Sequence, residues 1–246
     1  MSSDGLVLPP PASRLLSVSS LATRYGDQAA LTNIAFSVYA GEVLGLIGPN
    51  GAGKTTLLEA IAGVLPADTG TVLWGAALLP RADRRKFLFY LPDGVRPWQD
   101  QYVYRLLAFF AGAYRLSQSH IADAVAAVGL APVLSKRVLA LSKGYMRRLI
   151  WALALLAPHP LLLMDEPFDG FDLRQTLDMT SVLRRAVAEG RTLVLSIHQL
   201  ALAERVCDRF VLLADGRIRG VGTLDELRAR TLHPSAGLED VFLALT

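Results

Sequence analysis

The chain has 246 residues, of which 52% are hydrophobic and 19% charged, and its formal net charge is +3. This length fits one large domain or two small ones, and the high hydrophobic content indicates a large core or an apolar surface that meets a partner. The longest apolar stretch, residues 149–164, is interrupted by Pro158 and Pro160. No segment therefore reaches the roughly 18 uninterrupted apolar residues of a membrane-spanning helix.

Residues 1–12 are polar and proline-rich, which predicts a loose leader and no secretion signal. The basic residues cluster only at Arg81, Arg84, Arg85 and Lys86, and we interpret this cluster as a solvated turn. A nucleic-acid-binding face would need a longer basic surface with aromatic residues interleaved, so no nucleic-acid partner is expected. The single cysteine, Cys207, is expected to be a small buried hydrophobe.

The first strands are predicted from short apolar runs. Residues 15–21 form one strand, the alternation of Ile34, Phe36 and Val38 predicts a second, and residues 43–47 form a short buried third. A glycine-rich loop follows, and a helical pattern then covers residues 54–64. The order of strand, glycine-rich loop and helix distinguishes a true phosphate-binding loop from a chance match.

The rest of the chain alternates between helical and strand-like patterns. Segments 71–74 and 87–91 look like strands, and residues from about 101 to 157 look helical, with Asp100 predicted to cap the first helix and Ser142 the last. Further strands are predicted at 160–164, 192–197, 210–213 and 217–221, with a helix at about 173–189 and two short helices at the end. This alternation indicates an α/β fold with a mostly parallel sheet covered by helices on both faces.

The glycine-rich loop carries the residues expected to bind ATP, which are Gly48, Pro49, Asn50, Gly51, Ala52, Gly53, Lys54, Thr55 and Thr56. Its glycines let backbone N–H groups approach the phosphates, and the following helix points its positive end at them. Lys54 is expected to contact the β and γ phosphates, Thr55 to offer a hydroxyl to Mg²⁺, and Thr56 to bind a phosphate oxygen.

Two adjacent acids, Asp165 and Glu166, follow the apolar run at residues 161–164. Asp165 is expected to hold Mg²⁺ directly or through water, and Glu166 to polarise an attacking water molecule. Such a pair alone is often only a solvated loop, but together with the phosphate loop it favours a catalytic role. Kinases, GTPases and many ATPases share these two elements.

Further motifs resemble those of ABC ATPases. Residues 141–149, with Ser142 and Gly144, resemble the signature sequence of that family, and residues 168–172, ending in Asp172, resemble its D-loop. A serine before an apolar helix is usually only a cap, yet such a helix start is also an anion site. Since the chain already has its own phosphate loop, this second site suggests that it serves ATP held by another copy.

The resemblance extends to two single residues and to the whole organisation of the chain. His198 resembles the switch histidine of the family, although a lone histidine is more often structural, and Tyr25 resembles the aromatic residue that stacks on adenine. The family's fold is a P-loop NTPase with an N-terminal antiparallel β part and an inserted helical subdomain. The resemblance thus implies a single domain over 1–246, with a core formed by 1–92 and 160–246 and a helical subdomain at 93–159.

The sequence departs from the commonest family pattern at two positions. Asp93 stands where a glutamine often senses Mg²⁺, and as a carboxylate it could itself ligate the metal. Tyr145 replaces the usual glutamine of the signature. Because Ser142 and Gly144 are kept, we expect a functional signature, and hence an active ATPase in which Lys54, Glu166 and His198 are catalytic.

These features predict a transport motor: an ATP-hydrolysing subunit that dimerises head to tail with an identical or homologous subunit and drives an integral membrane permease from the cytoplasmic face of the membrane. Residues 238–246 resemble the ending of ATPases paired with drug, polysaccharide or lipid exporters, which favours export. Two alternatives remain open: a soluble ABC ATPase that acts on ribosomes or DNA, and a poorly hydrolysing regulatory partner.

Overall fold

The computed structural model describes residues 13–231 and 235–246. The strands are β1 Arg14–Tyr25, β2 Gln28–Tyr39, β3 Val43–Ile47, β4 Thr69–Trp74, β5 Ala77–Leu78, β6 Leu88–Leu91, β7 Leu161–Asp165, β8 Thr192–Ile197, β9 Arg209–Ala214 and β10 Arg217–Gly222. The helices are α1 Lys54–Ala62, α2 Val103–Ala113, α3 Gln118–Val128, α4 Lys143–Leu156, α5 Leu173–Ala188, α6 Leu200–Val206, α7 Leu224–Arg228 and α8 Leu238–Leu245. The predicted leader at residues 1–12 lies outside the described residues.

A six-stranded sheet forms the centre of the fold, in the order β10-β9-β3-β8-β7-β6. All neighbours from β9 to β6 pair in parallel, and β10 is antiparallel to β9. The strands β3, β7 and β8 are buried along their whole length, as expected for parallel strands that are covered on both faces. Their side chains alternate between two hydrophobic cores: Val43 and Ile47 face one, and Leu44 and Leu46 face the other. The predicted mostly parallel sheet is confirmed.

A second sheet, antiparallel and four-stranded, has the order β2-β1-β4-β5. Ile34, Phe36 and Val38 of β2 are buried, and the residues between them are less buried. This alternation is typical of a sheet that packs on the core with only one of its faces. These residues share a hydrophobic core with Leu57 and Leu58 of α1. The antiparallel sheet therefore packs against the helix that follows the phosphate loop.

Three helices, α2, α3 and α4, lie in sequence between β6 and β7, as predicted. Ser142 caps α4, and its hydroxyl accepts a hydrogen bond from the N–H of Tyr145 at 3.4 Å. The predicted cap at Asp100 is wrong, because α2 begins two residues later behind Tyr102 without a side-chain cap. The division of the chain at residues 92 and 159 stays a prediction.

The interpretation of the basic cluster as solvated is confirmed for Arg81, Arg85 and Lys86, which are exposed, and is wrong for Arg84. Residues Arg81–Lys86 form a 3-10 helix, and Arg81 donates to the carbonyls of Gly63 and Val64 at 2.7 and 2.9 Å. Arg84 donates to the carbonyl of Ala60 and is half-buried, which lowers the pKa of its guanidinium. Two of the four basic residues thus bond to carbonyl groups at and just beyond the end of α1.

Candidate nucleotide site

A cavity with a volume of about 670 Å³ opens where the carboxyl ends of β3 and β7 meet the antiparallel sheet. It is lined by Tyr25 at the end of β1, by the first residues of β2, and by Asp165 and Glu166 at the end of β7. The phosphate-binding loop and the start of α1 also line it. An open parallel sheet binds its ligands at this edge.

The phosphate-binding loop depends on its glycines. Gly51 and Gly53 have φ of 83° and 101°, values that L side chains rarely adopt. A Cβ at Gly48 would collide with the carbonyl oxygen of Leu213. The ammonium of Lys54 donates to the carbonyls of Gly48 and Pro49 at 2.8 and 3.3 Å, so the cation is held inside the loop next to the free N–H groups of α1.

Asp165 is buried at the end of β7 and is held by hydroxyl groups on both sides. Thr55 donates to its Oδ2 at 2.6 Å, and Ser196 on the neighbouring strand β8 donates to its Oδ1. A carboxylate and a hydroxyl at the start of the phosphate loop's helix are ligands that fit Mg²⁺, which is usually held by one or two carboxylates together with substrate phosphates and water. The described residues contain no group of three His, Cys, Asp or Glu side chains that could hold a metal ion.

Glu166 adopts a left-handed backbone conformation, with φ of 45°. Its carboxylate lies between two partners: Oε2 is 2.7 Å from Nδ1 of His198, and Oε1 is 3.7 Å from Nζ of Lys54. The backbone N–H of Glu166 donates a hydrogen bond to the hydroxyl of Ser196 at 2.9 Å. The structure thus brings together the three residues that the sequence predicts to be catalytic.

The other predicted contacts fall into two groups. Tyr25 lines the cavity and is half exposed. Ser142, Gly144 and Asp172 do not line it. Asp172 caps α5 by accepting from the N–H of Gln175 at 2.8 Å, which is a structural role within this chain.

Asp93 lines the cavity but pairs with another residue of the chain. Two nitrogens of the Arg147 guanidinium lie 3.3 and 3.4 Å from its Oδ1. The sequence motifs did not single out Arg147 or Ser196. Ser196 could have been found from its position, since it is a polar residue at the end of a buried strand, in parallel register with Asp165.

A parallel sheet with a phosphate loop after β3, a buried aspartate at the end of β7 and a glutamate directly after it defines a P-loop nucleoside triphosphatase. The model of the ABC transporter family matches residues 31–169, and the chain belongs to this family. It is an ATP-binding subunit of the ABC transporter type, and its enzymatic activity is ATP hydrolysis.

Individual relatives cover nearly the whole chain. It is 32% identical over 239 residues to the ABC-type transporter ATP-binding protein EcsA of Bacillus subtilis, covering 94% of this chain and 96% of EcsA. The hemin import ATP-binding protein HmuV of Streptomyces coelicolor is 34% identical over 250 residues, covering 92% and 85% of the two chains. A solved ATP-binding subunit of an ABC transporter is 32% identical and superposes with a TM-score of 0.85 over 94% of this chain and 99% of that one. No helix among the described residues has the length and apolar character needed to span a bilayer.

Proposed function

We propose that the chain dimerises head to tail on ATP and Mg²⁺ and drives a separate membrane permease from the cytoplasmic face of the membrane. The position of Ser142 carries this proposal. The residue is exposed at the start of α4 and outside the cavity that would hold the chain's own nucleotide. With Gly144 it forms an anion site that the chain's own ATP does not use, so a second subunit is the natural source of the phosphate.

Within the shared site, each residue has a distinct role. Lys54 and the loop N–H groups bind the phosphates, Thr55 and Asp165 would hold Mg²⁺, and Tyr25 would stack on adenine. Bound Mg²⁺ neutralises charge on the phosphates. Glu166, oriented by His198, accepts a proton from the attacking water.

An exposed aromatic patch supports a protein partner. Trp98 and Phe109 are 58% and 59% exposed and stack edge to face at 5.2 Å, with Tyr102 and Tyr104 beside them in the sequence. The guanidinium groups of Arg105 and Arg137 each lie 5.7 Å from the centre of the Tyr102 ring. Large exposed apolar groups with flanking cations favour a partner that presents apolar and acidic side chains together. We propose that the permease docks here.

Export is the proposed direction of transport, on the strength of the C-terminal resemblance. The relatives differ in direction: one is the hemin import protein described above, and another, 30% identical over 244 residues, is the probable multidrug protein YbhF of Escherichia coli, of which the aligned segment covers 42%. Uptake or extrusion of substrate by vesicles that contain the complete complex tests the direction.

The shared site is tested by Ser142→Ala. ATP binding to isolated subunits should stay within about twofold of the parent, whereas hydrolysis should fall by at least about tenfold, because the phosphate loses a donor in the closed dimer only. Full hydrolysis by this variant would remove the shared-site interpretation.

The proposed docking of a permease is tested by the double variant Trp98→Ala with Phe109→Ala. This double variant should lose co-purification with a membrane protein from detergent extract, while the isolated subunit still hydrolyses ATP. Recovery of the parent with ribosomes or DNA and without a membrane protein would instead favour the soluble alternative. Negligible hydrolysis by the parent subunit and its complex would favour the regulatory alternative.

A further inference from the structure

One face of α4 is attached to the loop between β7 and α5 (residues 166–172, the β7–α5 loop). The three residues that make these contacts, Lys143, Arg147 and Trp151, are four positions apart and therefore lie on one side of the helix. Nε1 of Trp151 donates to the carbonyl of Pro167 at 2.8 Å. Nε of Arg147 donates to the carbonyl of Asp169, also at 2.8 Å.

Close packing reinforces these hydrogen bonds at the start of the helix. The aliphatic stem of Lys143 covers Gly170, where an added Cβ would lie 2.6 Å from Cε of the lysine. A Cβ on Gly144 would lie 3.0 Å from Nε2 of Gln175, at the start of α5. The start of α4 and the β7–α5 loop are thus in contact along their length, and displacement of one displaces the other.

Arg147 differs from the other two residues because it also reaches a second loop. Its side chain is only 12% exposed, and it contacts Asp93 in addition to the backbone of Asp169. A cation that is this deeply buried is stable only with its oxygen partners in place. Since Asp93 lines the nucleotide cavity, Arg147 connects one wall of that site and the β7–α5 loop to α4.

The far end of this connection is Ser142. It precedes Arg147 by five residues, about 7.5 Å along the helix axis. At the near end, the N–H of Asp169 donates to the carbonyl of Glu166 at 3.1 Å. A rearrangement of the catalytic residue on ATP binding or hydrolysis therefore has a short, continuous path to the start of α4.

We propose that Arg147 is a positioning residue: it sets the position of Ser142, and hence the site completed for the second subunit's ATP, according to the state of its own chain's nucleotide site. The inference rests on the shared-site dimer proposed above. It makes each chain a link between the two ATP sites of the dimer.

Mixed dimers provide the test. In each dimer, one full-length chain carries Glu166→Gln and does not hydrolyse ATP at its own phosphate loop (the silent chain), and the other keeps Glu166 (the active chain). A different affinity tag on each chain allows the mixed dimer to be purified. Hydrolysis then occurs only at the site that contains the active chain's Glu166 and the silent chain's Ser142. Arg147→Met in the silent chain should lower this hydrolysis by about tenfold, whereas the same change in the active chain should lower it less than about threefold.

The control is Arg184→Met in the silent chain, which removes an exposed pair with Asp208 elsewhere on the surface and should leave the rate unchanged. Thermal unfolding and ATP binding show whether Arg147→Met is folded. If it is not, Arg147→Lys, which keeps a donor for Asp169, takes its place. Arg147→Lys should likewise lower hydrolysis more in the silent chain than in the active chain. An equal or larger loss from the active chain, or no loss from the silent chain, overturns the inference. Full hydrolysis with Ser142→Ala in the silent chain refutes the shared site itself, so the two failures are distinguishable.

Discussion

Nδ1 of His198 lies 2.7 Å from Oε2 of Glu166, joining the residue that follows β8 to the residue that follows β7. The two side chains come from adjacent parallel strands, so the sheet fixes their separation. A histidine that holds the carboxylate on one side, with Lys54 on the other, leaves the acid oriented for proton transfer from water.

Glu166→Gln should lower kcat for ATP hydrolysis by at least about 100-fold, because the amide cannot accept the proton. ATP binding should be retained, since the phosphate loop is unchanged. Phosphate release and equilibrium nucleotide binding measure the two effects. A variant that hydrolyses ATP as fast as the parent would refute the role of Glu166 as the proton acceptor.

His198→Ala should lower kcat by about ten- to 100-fold, because Glu166 loses the group that orients it. The double variant with Glu166→Gln should be no more than about threefold slower than Glu166→Gln alone, since both changes remove one function. Losses that multiply would show that His198 acts independently of Glu166.

Ser196→Ala should destabilise the protein by about 1–3 kcal/mol, because a buried carboxylate oxygen of Asp165 and the N–H of Glu166 each lose a partner. The midpoint of urea unfolding measures this loss. Ser181→Ala is the matched control: that hydroxyl is exposed and donates within α5, and its removal should change stability by less than about 0.5 kcal/mol.

Burial raises the pKa of the Cys207 thiol above its ordinary value of 9.0. The thiol should therefore react with iodoacetamide only after unfolding. Because the unfolded chain releases this proton first, this thiol should lower the free energy of unfolding by about 1 kcal/mol between pH 9 and 10. Cys207→Ala should reduce the fall measured in urea titrations at the two pH values by that amount, and an unchanged fall would contradict the prediction.

A Cβ added to Gly45 in β3 would lie 2.8 Å from Sγ of Cys207. Gly45→Ala should therefore destabilise the protein by about 1–3 kcal/mol through overpacking. Cys207→Ala removes this closest contact and leaves contacts of 3.3 Å to Cβ of residue 207 and to Cδ1 of Ile47, so the double variant should be less destabilised than the sum of the single changes. Strict additivity in urea unfolding would show that the thiol is not the obstacle.

The inner strands β3 and β7 of the central sheet could be predicted because each is a short apolar run, and the phosphate loop because its residues are contiguous. The start of α2 could not, since tertiary contacts replace the cap: the N–H groups of Val103 and Tyr104 donate to the carbonyls of Lys136 and Leu134 at 3.0 and 3.1 Å. The same holds for Arg84, whose partners lie more than twenty residues away on α1.

In the candidate site, the sequence could predict residues that are recognised by their chemical type and by their place in a contiguous motif, such as Lys54 and Asp165. It could not supply the pairing of Asp93 with Arg147, which are 54 positions apart in the chain and meet only in the folded structure. A pattern that identifies Asp93 as a metal-sensing position carries no information about the cation that neutralises it.

At Glu166, the side chain proposed for proton transfer stands on a left-handed backbone that lowers the stability of the fold. A side chain in that conformation costs about 1–3 kcal/mol relative to a relaxed one. Glycine at this position would relieve the strain and abolish proton transfer, so random mutagenesis selected only for thermal resistance should recover Glu166→Gly among its stabilised, inactive products. Thermostability engineering of this protein therefore has to hold residue 166 fixed.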